Sequence, residues 1–240
     1  MKPFRLVLFL LLLAIANKLP AKDYKASLFG IKSDGLTLNT TSIQKAIDYI
    51  SENGGGRLVF YVGRYLTGSI FLKENVIIQL QEGAVIVGSP NPFDYEKVLN
   101  QPALILAQNQ RNIGITGKGV IDGQGFIVAN NIIDLVYKGL IKDDLVHDRP
   151  SASRPFDIYF RGCSNVLIQG IILKDPCAWT LVTDQCTNVV INQVILDAKA
   201  YWNNDGIDIV DCDSVRITNS YIDASDDGIC LKSQDPGFIC

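Results

Sequence analysis

The chain has 240 residues, 48% of them hydrophobic and 20% charged, with a formal net charge of −3. That length suits one sizeable domain or at most two, and that hydrophobicity excludes a disordered chain. A slightly acidic balance, with no basic run and no interleaving of basic and aromatic residues, excludes nucleic acid as a partner.

The start, Met1–Arg5, carries two cations and precedes the unbroken apolar run Leu6–Ala16. This has the basic and apolar regions of a secretory signal and is too short to cross a bilayer. Cleavage after Ala21 is expected, which assigns 1–21 to a signal and 22–240 to a secreted or periplasmic domain with no membrane contact once the signal is removed. Next, Thr41 with Gln44 three residues on reads as a capping box, and Ile43, Ala46, Ile47 and Ile50 fall at i, i+3, i+4 and i+7. This predicts an amphipathic helix that Gly54–Gly56 ends. Placed ahead of many strands, and with no second amphipathic helix evident after it, it suits a cap over the first coil of a solenoid.

Short runs rich in Val, Ile and Leu follow, at Arg57–Tyr61, Ser69–Leu72, Val76–Leu80, Ala84–Val87, Ile113–Thr116 and Val120–Ile121, separated by Gly, Asn and Asp. Residues 130–155 fit no period and read as a loop insertion with a short helix at 131–140. Its His147 lacks companions at metal-ligand spacing and reads as a surface residue. Cys163-Ser164-Asn165-Val166, Cys186-Thr187-Asn188-Val189 and Cys212-Asp213-Ser214-Val215 then open successive strands, 23 (186 − 163) and 26 (212 − 186) residues apart. Strand-only periods of this length predict an all-β right-handed parallel β-helix with an N-terminal capping α-helix. Asn165 and Asn188 would bond along the stack, and the three cysteines would form a ladder of buried free thiols.

Asp-Gly-Ile occurs twice, at Asp205–Ile207 and Asp227–Ile229, 22 residues apart (227 − 205), which is one coil. Stacking would place Asp205 beside Asp227 at roughly 4.8 Å, with Asp226 next to them. Such crowding raises at least one carboxyl pKa, allowing an acid and a base to coexist. Asp208, Asp211, Asp213 and Asp223 read as turn-capping residues. For Lys232 two readings stay open, contact with a substrate carboxylate or a solvated surface lysine.

Asn203-Asn204-Asp205-Gly206 resembles the Asn-Thr-Asp-Gly motif of the polygalacturonases, glycoside hydrolase family 28, in the pectate-lyase-like β-helix group. Asn204 replaces Thr. Ser225-Asp226-Asp227-Gly228 resembles the family's Asp-Asp motif, with Ser225 where Gly or Gln is usual. The segments around Phe29-Gly30, Thr40–Gly56 and Tyr65–Lys73 are similar to the N-terminal part of many β-helix proteins. The resemblance implies cleavage of α-linked galacturonosyl bonds in pectic polysaccharide with inversion and without metal or cofactor. It makes Asp226 the general acid and gives Asp205 and Asp227 the attacking water. Asn203 is assigned with Lys232 to substrate binding. The family's downstream Gly-His-Gly and Arg-x-Lys do not occur before Cys240, itself 28 residues (240 − 212) past Cys212, so the expectation is a fragment of a longer hydrolase, impaired in activity. Two rivals are a polysaccharide lyase, whose Asp cluster would bind calcium, and a carbohydrate-binding solenoid without catalysis.

Overall fold

The computed structural model describes residues 22–142 and 154–234. The predicted signal, His147 and Cys240 lie outside them. Strand β1 (Asp23–Lys25) and helix α1 (Thr40–Glu52) precede six coils. The first is β2 (Gly56–Phe60), β3 (Gly63–Thr67) and β4 (Ile70–Phe71); the second is β5 (Val76–Leu80), β6 (Ala84–Gly88), the short β7 (Lys97–Val98) and β8 (Gln101–Gln108). In the third, β9 (Arg111–Gly117) and β10 (Val120–Asp122) are followed by helix α2 (Gly125–Tyr137) and β11 (Phe156–Arg161). The fourth is β12 (Ser164–Gln169), β13 (Ile172–Lys174) and β14 (Leu181–Asp184); the fifth is β15 (Thr187–Asn192), β16 (Ile195–Ala198) and β17 (Ile207–Val210). The sixth is β18 (Asp213–Thr218), β19 (Tyr221–Ala224) and β20 (Ile229–Lys232).

Equivalent strands stack in parallel into three sheets, β1-β2-β5-β9-β12-β15-β18, β3-β6-β10-β13-β16-β19 and β4-β8-β11-β14-β17-β20. The protein is the expected right-handed parallel β-helix. Two corners of the coil are tight, closing in two to four residues. The corner from the second sheet to the third is not: it ranges from the pair 68–69 to the whole stretch 123–155, and takes 175–180, 199–206 and 225–228 in the last three coils. Inside, rows of Ile, Leu and Val from successive coils form one core, each large side chain worth roughly 1.5–3 kcal/mol on burial.

α1 covers the first coil with Ile43, Ala46, Ile47 and Ile50, all fully buried as the spacing predicts. Its capping box is absent. Asn39 stands at the N-cap, with no side-chain cap bond, and Gln44 faces the sheet, accepting from the Phe71 N–H at 2.7 Å and donating to the Phe71 carbonyl at 3.0 Å. The reason is the open edge. β4 has a strand on one side only, β8, and an amide side chain substitutes for the missing neighbour. The second helix also differs from expectation, beginning at Gly125 and burying Val128, Ala129 and Ile132. Its β-branched run reads as strand by propensity, which burial overrides.

The asparagine row is longer than predicted. Asn75, Asn112, Asn165 and Asn188 stand at one corner in left-handed conformation, and each amide donates to the one before it at 2.8 Å. Ser214 takes the same conformation in the next coil without an amide to extend the row. Cys163, Cys186 and Cys212 stack one residue after that corner's start, and the five described cysteines are free thiols.

Candidate active site

The repeated Asp-Gly has a packing cause. A Cβ on Gly206 would collide with the Gly228 carbonyl of the next coil, so only glycine lets these two turns close up. Gly206 N–H donates to the Asp227 carbonyl at 2.8 Å and Ile207 N–H to the Gly228 carbonyl at 3.0 Å, which sets Asp205 beside Asp227 with Asp226 adjoining. The three predicted carboxylates are thereby brought together at the open corner.

They are not alike. Asp205 is 3% exposed, whereas Asp226 and Asp227 stand exposed at the rim. Asn203, in left-handed conformation, donates from Nδ2 to Asp205 Oδ1 at 3.0 Å, and Lys232 Nζ lies 3.1 Å from Asp205 Oδ2. Burial pushes the Asp205 carboxyl up; Lys232 opposes that, and the charge of Asp226 adds a smaller upward push. Like-charge crowding is therefore a subordinate cause here, not the leading one expected from the sequence.

Lys232 is half-buried and turned toward the carboxylates. It also pairs with Asp208 and sits 3.6 Å above the Trp179 ring. Asp208 needs correction as well: it lies within β17, fully buried, and caps no turn. Burial drives its carboxyl up to about 6, against the pull of Lys232 and with the charges of Asp205 and Asp227 adding to the rise. Asp211 does act at a turn, accepting from the Gln234 N–H, whereas Asp213 and Asp223 lie within strands and Asp223 pairs with Lys199. Asn204, the departure from Thr, is fully buried and structural, donating to the Pro176 and Ala178 carbonyls at 3.0 and 2.7 Å.

Beside these residues opens a cleft of about 550 Å³, with Lys97, Gln101, Arg154, Trp179 and Asn203 in its walls. Trp179 stacks on Phe156 with the rings 5.2 Å apart and 13° from parallel. Arg154 is nearly buried, donating to the Cys177 and Trp202 carbonyls at 2.8 and 2.9 Å with its guanidinium 4.3 Å from the Trp202 ring. Sequence reasoning missed Arg154 and Trp179, since nothing in their local pattern marks them. Aromatic faces and cations suit a sugar bearing carboxylates. Among the described residues no group of three or more His, Cys, Asp or Glu is arranged to hold a metal ion.

The sequence model for glycosyl hydrolases family 28 matches residues 66–236, which include both acidic motifs and the cleft. The chain belongs to glycosyl hydrolase family 28. It is 27% identical to an exo-poly-alpha-D-galacturonosidase of Dickeya chrysanthemi, over 84% of this chain and 40% of that protein. It is 28% identical to a probable polygalacturonase of Vitis vinifera, over 90% and 46%. It therefore spans about half the length of these relatives. Among solved structures, the family 28 exopolygalacturonase of Yersinia enterocolitica superposes with a TM-score of 0.79 at 28% identity, covering 88% of this chain and 45% of that one. A Parabacteroides merdae structure superposes at 0.71 with 38% identity, covering 91% and 99%.

Proposed function

We propose that the protein is a polygalacturonase-type glycoside hydrolase acting on pectic polysaccharide. The observation that carries this is the stack of Asp205 on Asp227, with Asp226 beside them and an aromatic, cation-walled cleft adjoining, in a member of family 28. Asp226, exposed at the rim, is the general acid: its carboxyl proton goes to the glycosidic oxygen as the bond to the anomeric carbon breaks. Asp205 and Asp227 hold a water on the opposite face and take its proton as its oxygen bonds to that carbon, which inverts the centre. Lys232 offsets the burial of Asp205 and so keeps it ionised for that work. Lys97 and Arg154 offer positive charge to uronate groups, and Asn203 spans cleft and carboxylate. The apolar Leu6–Ala16 run supports export of the protein to where pectin is met.

The test is Asp226→Asn in the full protein, assayed on polygalacturonate by reducing-end release. A loss of 10²–10⁴-fold with unfolding temperature unchanged is expected, because the side chain is exposed and the replacement isosteric. A variant keeping more than about a tenth of the activity would place the general acid elsewhere. Release of a product absorbing in the ultraviolet, dependent on calcium, would replace the hydrolase by a lyase.

A further inference from the structure

A second groove, of about 700 Å³, runs across the outer side of the first sheet at its tight corner with the second, away from the corner that carries the carboxylates. Arg57, Gln79, Gln81, Lys118, Gln169 and Gln193 line it. Gln79, Thr116 and Gln169 are register partners in consecutive coils, so their side chains repeat at roughly 4.8 Å, and the groove from β2 to β15 is about 19 Å long. Its floor is glycine: a Cβ on Gly170 would collide with the Gly117 carbonyl, and one on Gly117 with the Leu80 carbonyl.

The polar groups here are unspent. At the neighbouring corner four asparagine amides at the same pitch are consumed by bonding one another. In the groove Gln79, Gln81, Gln169 and Gln193 make no side-chain hydrogen bond among the described residues, and the Gln79 Oε1 is buried without a donor. An acceptor left unmet destabilises the fold, and a hydroxyl brought to it would relieve that cost. We propose that this groove is a second carbohydrate site, binding an extended, hydroxyl-rich polysaccharide chain in addition to the catalytic cleft. With a turn of the half-buried Gln79 amide a hydroxyl can donate to its Oε1 and accept from the Gln169 amide, and successive sugars can meet successive coils. Two cations, one of them already paired with Asp23 and both sharing the groove with Glu82, are too few for a nucleic-acid backbone, and the lining is too polar for an apolar peptide.

The experiment follows the glutamine side-chain amide resonances of the full protein carrying Asp226→Asn, titrated separately with a galacturonan hexamer and a neutral galactan hexamer. It reads binding and needs no turnover, so its outcome is separate from that of the hydrolase reading. Saturable shifts of the Gln79 and Gln169 amides are expected, assigned through single Gln→Leu variants. Response to the acidic sugar alone would assign part of the recognition to Lys118, and response to both would assign it to the hydroxyls. Gln79→Leu with Gln169→Leu should weaken that binding roughly tenfold. Gln79→Leu should not lower the unfolding temperature, since it removes an unmet acceptor. No saturable shift with either sugar at roughly 10 mM, or unchanged affinity in the double variant, would overturn the proposal.

Discussion

Replacing Lys232 by Met keeps most of the aliphatic stem and removes the ammonium that lies between Asp205 and Asp208 and over the Trp179 ring. Asp208 is wholly buried and Asp205 nearly so, and removing one partner of a buried pair typically costs about 3–5 kcal/mol. The cost must depend on pH. Asp208 already titrates at about 6 in the folded protein against an ordinary 3.8, so folding takes up a proton between those values. Its contribution to stability is intact below about pH 4 and falls as pH rises through 6, by roughly 3 kcal/mol at two pKa units. Without Lys232 the folded pKa rises further and the loss at neutral pH deepens, whereas near pH 4 the protonated carboxyl has little use for a cation. Thermal unfolding followed by circular dichroism should therefore show Lys232→Met about 6–20 °C below the parent at pH 8, and much closer to it near pH 4. Asp208→Asn in the same chain should recover most of the deficit. An equal deficit at both pH values would refute the reasoning, because it would trace the loss to packing and not to charge.

Two further outcomes are expected. Gln44→Ala should cost about 1–3 kcal/mol, read by denaturant unfolding, because it strips both partners from the Phe71 backbone at the first coil's edge; Gln44→Glu should fail to restore it, since a carboxylate cannot donate to the Phe71 carbonyl. Alkylation of the denatured, unreduced protein should label Cys163, Cys177, Cys186, Cys212 and Cys230 in full, and a disulfide among them by mass spectrometry would contradict the ladder of thiols.

The coil was legible because its repeating parts are local: each Cys-x-Asn-Val opening marks a corner, and each Asp-Gly-Ile marks the approach of one turn to the next. What escaped depends on which side of a sheet a residue faces and on what lies across the coil. Asp208 looks like any other Asp near a turn until β17 places it against Lys232, 24 residues on. Gln44 fits a capping box equally well, and only the unpaired edge of β4 redirects it. Arg154 and Trp179 meet the site from separate coils, so no single stretch contains their relation to Asp205. The strands expected from the sequence do not include Gln101–Gln108, which supplies the longest strand of the third sheet and carries Pro102, a residue that strands disfavour.

The unequal corners of the coil divide the molecule into a part that keeps count and a part that does not. Where two to four residues join neighbouring sheets, an inserted residue would shift every rung of the asparagine row above it. At the third corner, stretches as different as 68–69 and 123–155 leave the register of the sheets untouched. Lengthening a loop there costs only about 0.6 kcal/mol for each doubling. Chain can thus be added or removed around Asp205, Asp226 and Asp227 without re-folding what holds them, so that the reach and shape of the cleft can diversify by insertion and deletion while the carboxylates stay in place.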